Sequence, residues 1–414
     1  MFQKRMILLA TILSVLLGLA GCAETKQPEQ DVISQRRDAA ESYMRQMATY
    51  MWRAEEDVFY TRDNKVLTDE HLANYTGDVL KIKKGRLYRG IPYSYAGASA
   101  WNFYDYASEP DAQGITTISG LHWRGLNGSS GIGACVGNDC SGAIELAWNY
   151  VGSNIQLANT TSMTKNFGYI PVGDYASSAL RNDMTAQTCK VNGAQMMAQS
   201  YAALQKADAV VMRTASYGHT MMVVENHTVL TQDELVDLEQ SYVTVLHQTS
   251  SYMKKEHKEY DPEYGEDVYT IYGIDDKYTY AKLFAQGYLP ITCDVFLDPA
   301  PVAEVYVTDT VQEHTFETIL QGSFLSNRVL SAATITITDE GGNVVMEGTC
   351  YEKRQTGQQI FSFRMERFTE LQKELQRGNL DLEALPSGNY HCTHVVRDGH
   401  GVEYTMRDFD FTVN

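Results

Sequence analysis

Asn138-Asp139-Cys140-Ser141-Gly142 is the stretch of this 414-residue chain whose residue types most directly suggest chemistry. It opens an apolar helical pattern (Ala143, Ile144, Leu146, Ala147, Tyr150), which puts Cys140 at a predicted helix N-terminus. A thiolate is the reactive form of cysteine. The free N–H groups and partial positive charge of a helix start favour it, and draw a thiol pKa from about 8.5 towards the range of about 3.5–7.5. Asp139 is a good N-cap residue. The backbone N–H groups at the same helix start, around Asp139 and Ser141, could receive an oxyanion. A sulfur nucleophile also needs a base and proton donor. Of ten histidines, His219 is the best placed. It begins the apolar run His219-Thr220-Met221-Met222-Val223-Val224, consistent with a buried central strand. Its second nitrogen wants an orienting acceptor, and the next predicted strand offers His247 or Gln248. These two face opposite sides of a strand, so only one can serve. The plainer structural readings are an inert helix-start cysteine and a satisfied core histidine.

These residues require particular elements to hold them. The pattern predicts helices over 141–151 and about 193–206, and strands at 208–213, 219–225, 241–248 and 267–273. Upstream, the apolar positions from Ile33 to about Ala54 fall at helical spacing, and such Met and aromatic stripes signal packing. Leu297-Asp298-Pro299-Ala300-Pro301 reads as a linker, because prolines favour extended chain. Beyond it come short strand-like runs at Val302–Asp309, Thr315–Leu320, Ala333–Asp339, Val344–Tyr351 and Ile360–Arg364, with a possible helix at 365–377. Glu340-Gly341-Gly342-Asn343 marks a hairpin turn.

In this order and context the chain resembles the NlpC-type cysteine peptidases, papain-like enzymes of the bacterial cell wall. Asp139 to Gly142 matches the family's Asp-Cys-Ser-Gly motif, Gly218-His219 its Gly-His strand, and His247 maps best to its third polar residue. Gly90-Ile91-Pro92-Tyr93-Ser94-Tyr95-Ala96-Gly97 matches an upstream segment whose last tyrosine, Tyr95, lines the cleft. Ala96 departs from a common glycine. The separations, about 40 residues from Gly97 to Asp139 and 79 from Cys140 to His219, are long for the family. An aromatic-rich insertion (Trp101, Phe103, Tyr104, Tyr106, Trp123) could wall the cleft. The resemblance implies a Cys140-His219-His247 triad, with Tyr95, Asp139 and Ser141 toward substrate and oxyanion. It implies hydrolysis of peptidoglycan stem peptides, commonly between γ-D-glutamate and a diamino acid, with no metal or organic cofactor. The last 110 residues or so resemble a bacterial immunoglobulin-like β-sandwich, whose partner is unknown.

The N-terminus reads as an address. Lys4 and Arg5 precede an uncharged apolar run of 16 residues, Met6 to Gly21, shorter than the about 20 that span a bilayer. It ends in Leu19-Ala20-Gly21-Cys22, which resembles a bacterial lipobox and implies cleavage before Cys22, lipidation of its thiol and an extracytoplasmic location on a membrane anchor. The expected organisation is therefore a signal peptide over 1–21, a tether over 22–31, an N-terminal helical segment over 32–83, an α+β papain-like (NlpC-type) catalytic domain over 84–298 and an all-β immunoglobulin-like sandwich over 302–414. A net charge of −18 argues against nucleic acid as a partner. Export permits disulfides, and Cys350 with Cys392 is the first pairing to test. His391-Cys392-Thr393-His394 is the nearest approach to a metal motif, but strand alternation would put His391 opposite Cys392 and His394. The two functional expectations are a cell-wall cysteine hydrolase and a catalytically silent surface protein that binds wall peptides or a protein partner.

Overall fold

The computed structural model describes residues 29–61, 65–94, 103–104, 106–123, 134–153, 160–164, 169–176, 184–301, 305–307, 324–326, 330–351, 384–398 and 402–414. Cys22, Tyr95, Trp101, the runs at 315–320 and 360–364 and the helix expected at 365–377 lie outside the described residues.

The chain is mixed α/β, with several sheets and an all-antiparallel sheet at its C-terminal end. Helix α1 (Glu29–Thr49) begins inside the expected tether and stops before the expected Ala54, where Met51–Ala54 turns into a strand. Val58–Thr61 and Val79–Ile82 follow as a two-stranded pair, so residues 32–83 are not simply helical. Nor do they stand apart. Ala40, Met44, Met47 and Ala48 of α1 are buried in one apolar cluster with Ile144 and Trp148 of the next major helix and Met221 to Val223 of the main sheet. Arg37 of α1 reaches across that boundary to the buried Asp208 carboxylate, at 2.7 Å. Its neighbour Arg36 donates to the carbonyls of Val295, Asp298 and Pro299, so the proline-rich linker is fastened at its start.

The main sheet has six strands: β1 (Ile170–Pro171), β2 (Ala209–Arg213), β3 (Gly218–His227), β4 (Tyr242–His247), β5 (Gly273–Thr279) and β6 (Leu289–Thr292). Their spatial order is β5-β4-β3-β2-β6-β1, with every pairing antiparallel. β3 is central and its middle residues are all buried, which explains why it reads as a continuous apolar run rather than an alternating one. Helix α2 (Cys140–Tyr150) packs on β3. Ala143, Ile144, Ala147 and Trp148 form its buried face, and Trp148 Nε1 donates to Ala207 O at 2.8 Å. A second sheet, of mixed direction, joins Lys258–Asp261, Glu266–Thr270, Leu87–Arg89, Met51–Ala54 and Thr116–Ile118 in that order.

The single strand expected at 267–273 is two strands in two sheets. Glu266–Thr270 pairs with Leu87–Arg89, and after Ile271-Tyr272 the chain enters β5 of the main sheet. The sequence Gly-Ile-Asp-Asp-Lys-Tyr-Thr is polar because β5 is an edge strand with one face near water.

At the C-terminal end Leu330–Asp339 is flanked by Val344–Tyr351 on one side and Gly388–Asp398 on the other, and Glu403–Val413 closes the sheet. The expected turn at 340–343 is present: Asp339 Oδ1 accepts from the N–H groups of Gly341 and Asn343. The Cys350–Cys392 pairing is overturned. Cys350 is registered with Ala333 and Cys392 with Ile337, on opposite flanks of the same strand. Two strand spacings, roughly 10 Å, exceed the reach of a disulfide, and Cys392 is a buried free thiol. As alternation requires, Cys392 and His394 point inward and His391 does not.

Candidate active site

The local sequence builds the start of α2. Asp139 adopts extended backbone as N-cap, and its carboxylate accepts from the Gly142 N–H at 2.7 Å and the Ser141 hydroxyl at 2.9 Å. Both side chains are thereby committed to the cap. Any role for Asp139 or Ser141 toward an oxyanion rests on backbone N–H groups, because a carboxylate only accepts.

The preceding Gly137-Asn138 runs beside Ile91-Pro92-Tyr93-Ser94. Ser94 N–H donates to Asn138 O at 2.8 Å, Asn138 N–H donates to Pro92 O at 3.1 Å, and the Ser94 hydroxyl reaches Cys135 O. A Cβ at Gly137 would collide with the Pro92 carbonyl, so glycine is what allows this approach. The segment matched upstream therefore lies against the cysteine-bearing turn, up to Ser94.

Cys140 is the first residue of α2 and is buried. Its sulfur lies against β3: the Thr220 N–H, next in sequence to His219, hydrogen-bonds to it and, with the N–H groups of Ser141 and Cys140, favours the thiolate. Burial outweighs these donors and the Asp139 charge adds to it, so the thiol is pushed up to about 12. This reverses the expectation of a depressed pKa. The helix start acts on a buried cysteine, and desolvation is the larger effect. Tyr288, whose ring centroid is 6.5 Å from that of His219, also lies within electrostatic range of the sulfur.

His219 is buried on β3, and its Nε2 meets His247 Nδ1 at 2.8 Å. Burial first, then the electrostatic influence of His247, hold its pKa well below the ordinary histidine range. Burial thus acts on thiol and imidazole in the same sense, favouring the uncharged form of each.

The choice between His247 and Gln248 is resolved by orientation. Gln248 points away: its Nε2 donates to Ile91 O at 2.5 Å and its Oε1 accepts from the Thr249 N–H, securing the Ile91 segment. His247 turns toward His219.

Two further members escaped the sequence reading. His247 Nε2 meets Asp276 Oδ2 at 2.8 Å, and the Tyr252 hydroxyl donates to both Asp276 oxygens, at 2.7 and 2.8 Å. Burial raises the Asp276 pKa, but the bonds from His247 and Tyr252 outweigh it and hold the carboxyl below its ordinary value. Asp276 is aimed by a β-bulge. Between Val245↔Asp276 and His247↔Gly273 the β5 strand carries an extra residue, and Asp275 there has φ +54. Arg45 of α1 grips the Asp275 carboxylate with both terminal nitrogens, at 2.8 and 3.0 Å. Gly273 faces His247, and a Cβ there would overlap the imidazole.

The aromatic insertion is only partly described: Phe103 packs in the core against Trp52, and Tyr104 stacks edge-on with Tyr50. Among the described residues no cluster of His, Cys, Asp and Glu could hold a metal ion. No protein-family model matches the chain, and a search of curated proteins finds no relative.

Proposed function

We propose that the chain is a lipid-anchored, extracytoplasmic cysteine hydrolase of the NlpC papain-like type that cleaves peptidoglycan stem peptides, with an immunoglobulin-like module at its C-terminal end. The observation that carries this reading is that a helix-start cysteine lies against the strand of His219, at the neighbouring Thr220 N–H, and that His219 is hydrogen-bonded through Nε2 to a second histidine. With His219 Nε2 engaged by His247, Nδ1 is the nitrogen left to serve the sulfur.

The raised thiol pKa and the lowered imidazole pKa both favour the uncharged pair, from which the reaction proceeds by general-base catalysis. As Sγ attacks the amide carbonyl, the thiol proton passes to His219 Nδ1. The imidazolium returns that proton to the leaving amine as the C–N bond breaks, leaving a thioester on Cys140. Water then attacks the thioester and gives a proton to His219, which passes it to Sγ as the C–S bond breaks and the acid leaves. The lipobox-like Leu19-Ala20-Gly21-Cys22 supports the anchor.

The test is digestion of purified muropeptides with product masses recorded. Parent protein releases new amines, and Cys140→Ala abolishes the release. Undiminished turnover by that variant would remove the assignment.

A silent binding protein is the second reading, favoured by the burial and raised pKa of Cys140. It predicts muropeptide affinity without turnover, and a thiol that resists iodoacetamide at neutral pH as buried structural cysteines do.

A further inference from the structure

We infer that Asp276, clamped by Tyr252, is a positioning residue that sets which nitrogen of His219 carries the proton, acting through His247. The inference deepens the proposed thiol chemistry and rests on it. A carboxylate accepts and never donates, so the 2.8 Å contact between Asp276 Oδ2 and His247 requires the proton on His247 Nε2. With the His247 ring uncharged, only a lone pair is left at Nδ1. That lone pair faces His219 Nε2 at 2.8 Å, so His219 Nε2 must donate. His219 is left with its lone pair on Nδ1, the form a base needs. One carboxylate thus orders two successive imidazoles. The alternative tautomer would set a donor against a donor or an acceptor against an acceptor in a buried site, where an unmade bond is costly.

The surroundings are built for this order. Tyr252 closes the far side of the carboxylate with its hydroxyl, and its ring stacks on His257 at 4.3 Å. Lys282 adds a favourable charge toward Asp276, while Tyr278 packs edge-on against His247 at 6.1 Å. The bulge at Asp275, gripped by Arg45, turns Asp276 inward, and Gly273 leaves room for the His247 ring. An edge strand has thus given up regular pairing and a side chain around a single contact. Bulges re-aim side chains in this way beside active sites.

The test uses the full chain labelled with nitrogen-15 in histidine alone. Ring nitrogens are read by long-range proton–nitrogen correlation at neutral pH, with assignments from His219→Gln and His247→Gln. Both rings of the parent are expected as the Nε2–H tautomer. Asp276→Asn, whose amide N–H can face His247, is expected to shift both rings toward Nδ1–H. It should also slow Cys140 alkylation by iodoacetamide about tenfold or more, and Asp276→Glu should regain part of both. An Nδ1–H tautomer at His219 in the parent overturns the inference, and this readout stands even where Asp276→Asn does not fold. Unchanged tautomers in folded Asp276→Asn overturn it as well. Full hydrolysis by Cys140→Ala would instead sink the enzymatic reading while leaving the tautomer result intact, so the two failures are distinguishable.

Discussion

Two strands of this molecule each carry a histidine set against carboxylates, and only one of the two histidines is buried. In the main sheet His247 is 4% exposed at its side chain and meets Asp276, which is 30% exposed. In the C-terminal sheet His391 is 38% exposed, and its two ring nitrogens face Asp408 and Asp410, which are 62% and 88% exposed. The residue types and distances are alike. The difference is direction and water. His247 has a carboxylate on one nitrogen and an imidazole on the other, so a neutral ring carries a defined polarity inward. His391 has acceptors on both sides, so both contacts are hydrogen bonds only when the ring is cationic, and solvent screens what they contribute. A cluster of titratable residues becomes a site when burial makes its bonds directional and expensive to leave unmade.

Substitutions at the two sheets should sharpen that contrast. The largest effect on stability is expected at the base of the main sheet. Arg37→Ala leaves Asp208 buried without its partner and should cost about 3–5 kcal/mol, read by denaturant unfolding. Gly273→Ala forces a Cβ into the His247 imidazole. It should destabilise by about 1–3 kcal/mol and slow alkylation of Cys140, and an unchanged rate would show that the ring position is unimportant.

The pH dependence follows from His219, whose folded pKa lies below that of the unfolded chain. Its contribution is fully present above the unfolded value of about 6.5 and is lost as pH falls from there toward the folded value, because the unfolded chain binds the proton first. His219→Gln should flatten the stability profile below about pH 6.5, as followed by thermal unfolding across pH. The smallest effect is expected at His391→Ala, within about 0.5 kcal/mol of the parent and with alkylation of Cys140 untouched. A large change there would break the comparison.

How far the sequence could be read depended on where each signal was stored. The helix start at Cys140 was legible because an N-cap aspartate and an apolar stripe are local features. His219 was legible because a central strand buried on both faces leaves an unbroken apolar run. His247 and Gln248 were both visible, yet neither could be chosen, since alternation says that they face apart and not which face meets β3. Asp276 was missed for a further reason. It lies on an edge strand with little apolar character, past a break between two sheets, and its direction comes from a bulge at Asp275 tied to Arg45, which is 230 residues away in sequence. The opposing effects on Cys140 were only half legible, because a helix start is local and desolvation is not.

Sequence alone determined the local parts of this protein: the capped helix, the apolar strands, the hairpin turns and the identity of the thiol and imidazole that could react. These depend on residues within a few positions of one another. Tertiary structure decided which nitrogen faces which partner, which of two adjacent polar residues joins the chain of hydrogen bonds, and how strongly burial opposes the helix start at the sulfur. Those outcomes depend on water being excluded by elements that meet only when the chain is folded.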